Sequence, residues 1–151
     1  MVIWPNGKRI AVMMSFDVDA ELMWLQRGDG NADHITNLSK GAYGPKEGIP
    51  RLVRILNKHN VKGTFYVPAW VAEQHTEEIR LLVQEGHEIA YHGYYHESEG
   101  GRPQKEMEEI MEKSEQVMQK LYGIKMVGHR SPDAAYNDYS IAMYYNRGYF
   151  Y

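Results

Sequence analysis

A chain of 151 residues is long enough for one domain with a genuine core. Its 43% hydrophobic and 25% charged content is that of a soluble globular protein, and a net charge of −3 leaves no basic footprint for nucleic acid. The absence of cysteine excludes disulfides, thiolate nucleophiles and cysteine zinc sites, which leaves seven histidines as the metal-binding and titratable reserve. The N-terminal stretch MVIWPNGKRI lacks the apolar region of a signal peptide, and no segment approaches a membrane span. A cytoplasmic location with no membrane partner is the expectation.

In chain order, Arg9 to Phe16 is short and apolar and predicts a buried strand that runs into Asp17 and Asp19. The polar, glycine-rich stretch from Gln26 to Gly48 has no clear period and reads as a functional loop. Ile49, Leu52, Val53 and Leu56 share one helical face, with Pro50 in the first turn. Val61 to Trp70 predicts a second strand ending near Pro68. Thr76 is placed to cap a helix carrying Ile79, Leu82 and Val83 inward, and HEIAYHG follows as a third strand. The longest helix is expected from Pro103 to Tyr122. Its methionines form a core stripe, and Glu108, Glu109, Glu112 and Glu115 a solvated face. IKMVGHR predicts a fourth strand and DYSIAMYYNRG a last helix.

This alternation argues an α/β domain with mainly parallel strands, in which ligands sit beyond the carboxyl ends of the strands. Three polar clusters fall at that rim: Asp17 with Asp19, the HGYYHE segment, and HRSPD. Asp17 and Asp19 are two apart, so an extended backbone points both to one face and Val18 to the other. The pair reads equally as a solvated turn or as carboxylates that need a cation or proton between them. His92 and His96 are four apart, and a helical turn would bring both rings to one metal ion. The same spacing fits a structural histidine beside an exposed one. Arg130 is either a surface arginine at a turn or a cation that orients an adjacent carboxylate and keeps it ionised as a base. Gly93, Gly100 and Gly101 read as turn formers. His34, His59, His75 and His87 read as surface or capping residues, and His129 as facing away from Arg130. Trp24, Tyr43, Trp70, Tyr94 and Tyr95 are expected to pack rather than to stack on sugar rings.

SFDVDAE, HGYYHE and GHRSP, in this order on alternating α/β elements, resemble the polysaccharide deacetylase family, the NodB homology domain. IPRLVRIL, TFYVP and EGHEIAYHGYYHE look most like its cytoplasmic subgroup of peptidoglycan-deacetylase-like proteins, cyclic imidases and allantoinase-like amidohydrolases. The resemblance runs from about Trp4 to Gly148. It implies the N-terminal part of a distorted (β/α)7-type barrel. Asp17 would be the general base, and Asp19, His92 and His96 the ligands of a divalent ion, Zn2+ or else Co2+, Ni2+ or Mn2+. Arg130 would orient the base, and Pro132 would shape the substrate groove.

The implied activity is metal-dependent hydrolysis of non-peptide carbon–nitrogen bonds. Deacetylation of an N-acetylated sugar or polysaccharide leads, and hydrolysis of a small cyclic amide, a cyclic imide or allantoin-type ureide, is the alternative. A third reading is an inactive metal-binding fragment. A full barrel needs roughly 200 residues or more, and the family's later motifs, with its general-acid histidine and the acidic partner of the arginine, would lie beyond Tyr151. A single domain over residues 1–151 that is not complete is therefore expected. A homo-oligomer is compatible with this reading.

Overall fold

The computed structural model describes residues 4–26 and 34–151. A parallel three-stranded sheet lies at its centre, in the order β1 (Ser15–Asp17), β2 (Thr64–Val67) and β3 (Glu88–Tyr91). The register pairs Ser15 with Thr64 and Thr64 with Glu88, so the carboxyl ends of the strands lie side by side. The expected fourth strand is a single parallel bridge between Tyr91 and His129. Tyr91 donates to the Gly128 carbonyl (2.9 Å) and Arg130 to the Tyr91 carbonyl (3.0 Å), and this holds Arg130 level with the end of β3.

The expected strand over Arg9 to Phe16 shrinks to β1. This strand lies at the sheet edge, and Ile10, Val12 and Met13 are exposed by 76% or more, with no strand to pair with among the described residues. The stretch read as a loop also differs. After α1 (Leu22–Leu25), α2 (Ile35–Tyr43) continues through a π-helical turn at Gly44–Gly48 into α3 (Ile49–Lys58), while residues 27–33 lie outside the described residues. Glycines in the stretch hide a helix that tertiary packing imposes. A Cβ on Gly41 would sit 2.6 Å from the Glu21 Cα, so only glycine lets α2 close over the start of α1.

The helix α4 (Ala69–Gln74) runs into α5 (Thr76–Gln84) with His75 at the joint. Thr76 therefore does not cap α5 as expected. Its hydroxyl turns back to the carbonyls of Glu73 (3.1 Å) and Ala72 (3.4 Å). The long helix α6 (Gln104–Tyr122) buries Met107, Met111, Ser114 and Met118, a helical stripe, against the core. Its glutamate face is mostly solvated, but Glu115 is ion-paired with Arg147 (2.5 Å) after α7 (Ser140–Asn146) and accepts from the Tyr149 hydroxyl (3.1 Å). Phe65, Val67, Ile79, Leu82 and Tyr91 complete the core between sheet and helices. No described helix is long and apolar enough to cross a membrane.

Two of the histidines expected at the surface are buried, His75 and His87. His87 accepts the Gly63 N–H on Nδ1 (3.2 Å), so it must be unprotonated there, and burial followed by the Lys62 charge lowers its pKa below the ordinary histidine value. The unfolded chain then binds more protons than the folded one, and stability falls as pH drops through about 6.5 toward the lower folded value. The urea midpoint is expected to be lower at about pH 5.5 than at about pH 7.5, with a smaller difference in His87→Gln. Gly41→Ala is expected to cost about 1–3 kcal/mol in the same denaturation experiment, because the contact it creates is with backbone.

Candidate active site

The three clusters do converge at the carboxyl ends of the strands. Val18 is buried on the outer face of the sheet, which leaves Asp17 and Asp19 on the inner face, as the extended spacing requires. Asp19 follows β1 and sits 3.4 Å from His92 Nε2 and 3.9 Å from His96 Nε2. One ligand atom from each of the three residues lies within 4.8 Å of the others.

His92 and His96 do not share the expected helical turn. The chain leaves β3 at His92, passes Gly93 at φ 80°, and places His96 itself in the left-handed region at φ 56°. The rings meet edge to face with centroids 4.9 Å apart. Left-handed non-glycine residues also flank the other clusters, Ala20 after Asp19 and Asp133 with Ala134 after Pro132. Backbone strain of this kind persists only where the surrounding structure over-determines it.

The protonation pattern decides what the cluster can hold. His92 Nδ1 donates to the Arg130 carbonyl (2.7 Å) and His96 Nδ1 to Gln26 Oε1 (3.3 Å), so both rings turn an Nε2 lone pair toward Asp19. Asp19 Oδ1 is buried and has no hydrogen-bond partner among the described residues. Burial raises the Asp19 pKa against the opposing pull of His96 and His92. Burial lowers that of His92, opposed by its bond to the Arg130 carbonyl. Facing acceptors of this kind repel one another unless a proton or a cation joins them, and a divalent cation would satisfy all three at once. The donor set, one carboxylate and two imidazoles with their far nitrogens tied down, fits a Zn2+-class ion.

Asp17 lies beside this cluster, hydrogen-bonded and ion-paired to Arg130. Both partners are more than a third exposed (39% and 38%), so the pair orients Asp17 more than it stabilises the fold. Arg130 is itself fixed by a second bond to Ser15 Oγ (2.9 Å) and by lying 4.0 Å over the Tyr66 ring. Pro132 is buried at the start of a short 3-10 turn, with Asp133 beyond it. A cavity of about 270 Å³ beside the cluster is lined by Leu22, Met23, Gln26, His96 and Asp133. Asp17 and Asp19 also border an apolar hollow of about 320 Å³ with Trp24 and Tyr43. The larger hollows, about 520 and 730 Å³, lie along α6 by Glu115, Gln119 and Arg147 and hold none of these residues.

The family model for polysaccharide deacetylases matches residues 42–151. The chain belongs to the polysaccharide deacetylase family. It is 31% identical over 126 residues to the peptidoglycan deacetylase of Helicobacter pylori, covering 83% of this chain and 43% of that one. The solved structure of a Mycobacterium smegmatis protein of the polysaccharide deacetylase type superposes with a TM-score of 0.94 at 40% identity, covering 98% of this chain and 52% of that one. Puue allantoinase shares the fold, with a TM-score of 0.81 at 20% identity over 97% of this chain and 54% of its own. This deacetylase-family chain thus spans less than half the length of its Helicobacter relative and about half that of the solved neighbours.

Sequence reasoning missed the residues that hold these side chains. Ser15 and Tyr66 alternate onto the same inner face as Asp17, a signal that was present in the register. Glu97 closes the HGYYHE segment and was given no role of its own. Its Oε2 accepts the backbone N–H of both Tyr94 and Tyr95, each at 2.9 Å, and a Cβ on Gly93 would meet that oxygen at 2.9 Å. Glutamate and glycine together therefore set the turn that separates His92 from His96. Trp70, Tyr94 and Tyr95 pack against the core as expected, Trp70 edge-on to Tyr95 at 5.4 Å, whereas Tyr43 is 53% exposed and borders the apolar hollow with Trp24. In Glu97→Ala, amide hydrogen exchange at Tyr94 and Tyr95 is expected to accelerate at least about tenfold, the equivalent of one lost hydrogen bond. Glu97→Gln, which keeps an acceptor oxygen, is expected to stay near the wild-type rate.

Proposed function

We propose that this chain carries the catalytic half-site of a metal-dependent amide hydrolase that deacetylates N-acetylated sugars. The observation that supports it most is the buried, unpartnered Asp19 Oδ1 facing two imidazole lone pairs, with Asp17 and Arg130 adjacent. Asp19, His92 and His96 would hold a divalent ion of the Zn2+ class, and the chemistry it supplies is Lewis-acid polarisation of an amide carbonyl and a lowered water pKa.

The remaining chemistry belongs to the chain. Asp17 accepts the proton of the water that attacks the acetamide carbon, and Arg130 keeps its carboxylate aimed across the rim. Holding base and ligands on adjacent strand ends fixes their spacing before substrate arrives. Pro132 shapes the groove, and a backbone N–H near it would serve a developing oxyanion, other than those of Ala134 and Ala135, which donate to the Ser131 and Pro132 carbonyls within the turn.

A second reading has a specific observation behind it. The cavity beside His96, at about 270 Å³, matches a small ring better than a saccharide chain, and its Gln26 and Asp133 offer partners to ring N–H and C=O groups. It favours a cyclic imide or ureide as substrate for the same hydrolytic chemistry.

Assays of the chain with Zn2+ against N-acetylglucosamine oligomers, cyclic imides and allantoin separate these readings. Acetate release from the oligomers is the expected result, and ring opening without acetate release would assign the second. Asp17→Asn is expected to lower turnover by about 10²–10⁴-fold while leaving metal binding intact. His92→Ala is expected to lose both. Full metal binding with no turnover on any of the three substrates would leave a metal-binding fragment in place of an enzyme.

A further inference from the structure

The three ligand side chains come from two separate stretches of chain, Asp19 from the segment after β1 and both histidines from the turn after β3. One short helix touches both. At its start, α4 gives the Ala69 N–H to the Gly93 carbonyl (3.1 Å) and the Trp70 N–H to the Tyr94 carbonyl (2.9 Å). Both groups are orphan donors of a helix N-terminus, so the histidine turn serves as the cap of α4. Glu73 accepts the Tyr94 hydroxyl (2.9 Å), and Trp70 packs edge-on to Tyr95.

At the other end of α4, His75 is 5% exposed and its Nε2 faces both oxygens of Glu21, at 2.9 and 3.1 Å. Glu21 is two residues beyond Asp19 and follows the left-handed Ala20. Its backbone is held from behind by Gly41 of α2. The helix between the two ends is immobilised, with Ala69, Val71 and Ala72 fully buried and the Ala72 carbonyl bonded to the Tyr122 hydroxyl (2.6 Å) of α6.

We infer that α4 is a strut that sets the distance between Asp19 and the histidine pair, and that His75 is its positioning residue, acting on Asp19 through Glu21. Neither His75 nor Glu21 would touch the metal. Their bond fixes the entry of α1, where the Leu22 N–H binds the Asp19 carbonyl (2.9 Å), and with it the direction of the Asp19 side chain. The inference rests on the metal reading of the site and adds how its two arms are held in register.

The test is Zn2+ affinity of the 151-residue chain, measured by competition with a chelating dye, with thermal unfolding of the chelator-treated protein measured alongside. His75→Leu and Glu21→Ala are each expected to weaken Zn2+ binding by about 10- to 100-fold, the usual range for loss of a residue that orients a metal ligand. Glu21→Gln keeps the oxygen that accepts from His75 and is expected to bind within a few-fold of wild type. Unchanged affinity in folded His75→Leu and Glu21→Ala would overturn the strut, as would equal losses in Glu21→Ala and Glu21→Gln. If His75→Leu does not fold, amide exchange of the wild-type chain decides. Zn2+ is expected to slow exchange at Ala69, Trp70 and His75 together with the site, and protection confined to Asp19 and residues 92–96 would overturn the inference. A wild-type chain that binds no Zn2+ overturns the metal reading and the strut together, whereas wild-type binding with indifferent variants overturns the strut alone.

Discussion

The arrangement depends on an electrostatic conflict. A carboxylate and two imidazole lone pairs are packed within 4.8 Å of each other, and the nitrogens that could relieve the repulsion are committed to the Arg130 carbonyl and to Gln26. Without a cation this costs free energy, and burial, the largest influence on both groups, pushes Asp19 and His92 toward their neutral forms. The surrounding structure must therefore hold the groups together against their own preference. It does so with strained backbone at Ala20 and His96, with Glu97 inside the histidine turn, and with α4 spanning the two arms.

The same register that creates the conflict gives the two aspartates different partners. Asp17 is the last residue of β1 and reaches across the strand ends to Arg130, whereas Asp19 lies past the strand and turns into the histidine pair. A parallel sheet makes this arrangement available because its strand ends lie level, so residues distant in sequence share a rim. Arg130 needs the β3 bridge to stand at that level, and Ser15 and Tyr66 to point it at Asp17 rather than into solvent.

Much of this was legible in the sequence, for physical reasons that differ by element. β2, β3, α3 and α6 follow hydrophobic periods strong enough to survive any context, and Val18 between two aspartates announces the alternation that sorts them. Each polar cluster was ambiguous alone, and the ligand and base candidates were readable because the three together, in order at strand ends, resemble one family's motifs. What was hidden depends on partners remote in sequence. α2 forms in a glycine-rich stretch because Gly41 allows contact with Glu21, and β1 stops short at an edge with no neighbouring strand among the described residues. His75 reads as a surface histidine until Glu21 is brought to it across 54 positions. Alanine and histidine give no sign of a positive φ, so the turn that replaces the expected helical pairing of His92 and His96 could not be read from spacing.

The central claim, that Asp19, His92 and His96 form a divalent-metal site, is tested most directly by anomalous diffraction at the zinc edge. Crystals of the chain grown with Zn2+ are predicted to show a strong peak about 2.0–2.2 Å from an Asp19 oxygen and from Nε2 of both histidines. A Zn2+-loaded crystal with no peak there, or with its ion held elsewhere while Asp19 still faces two bare imidazoles, would contradict the account.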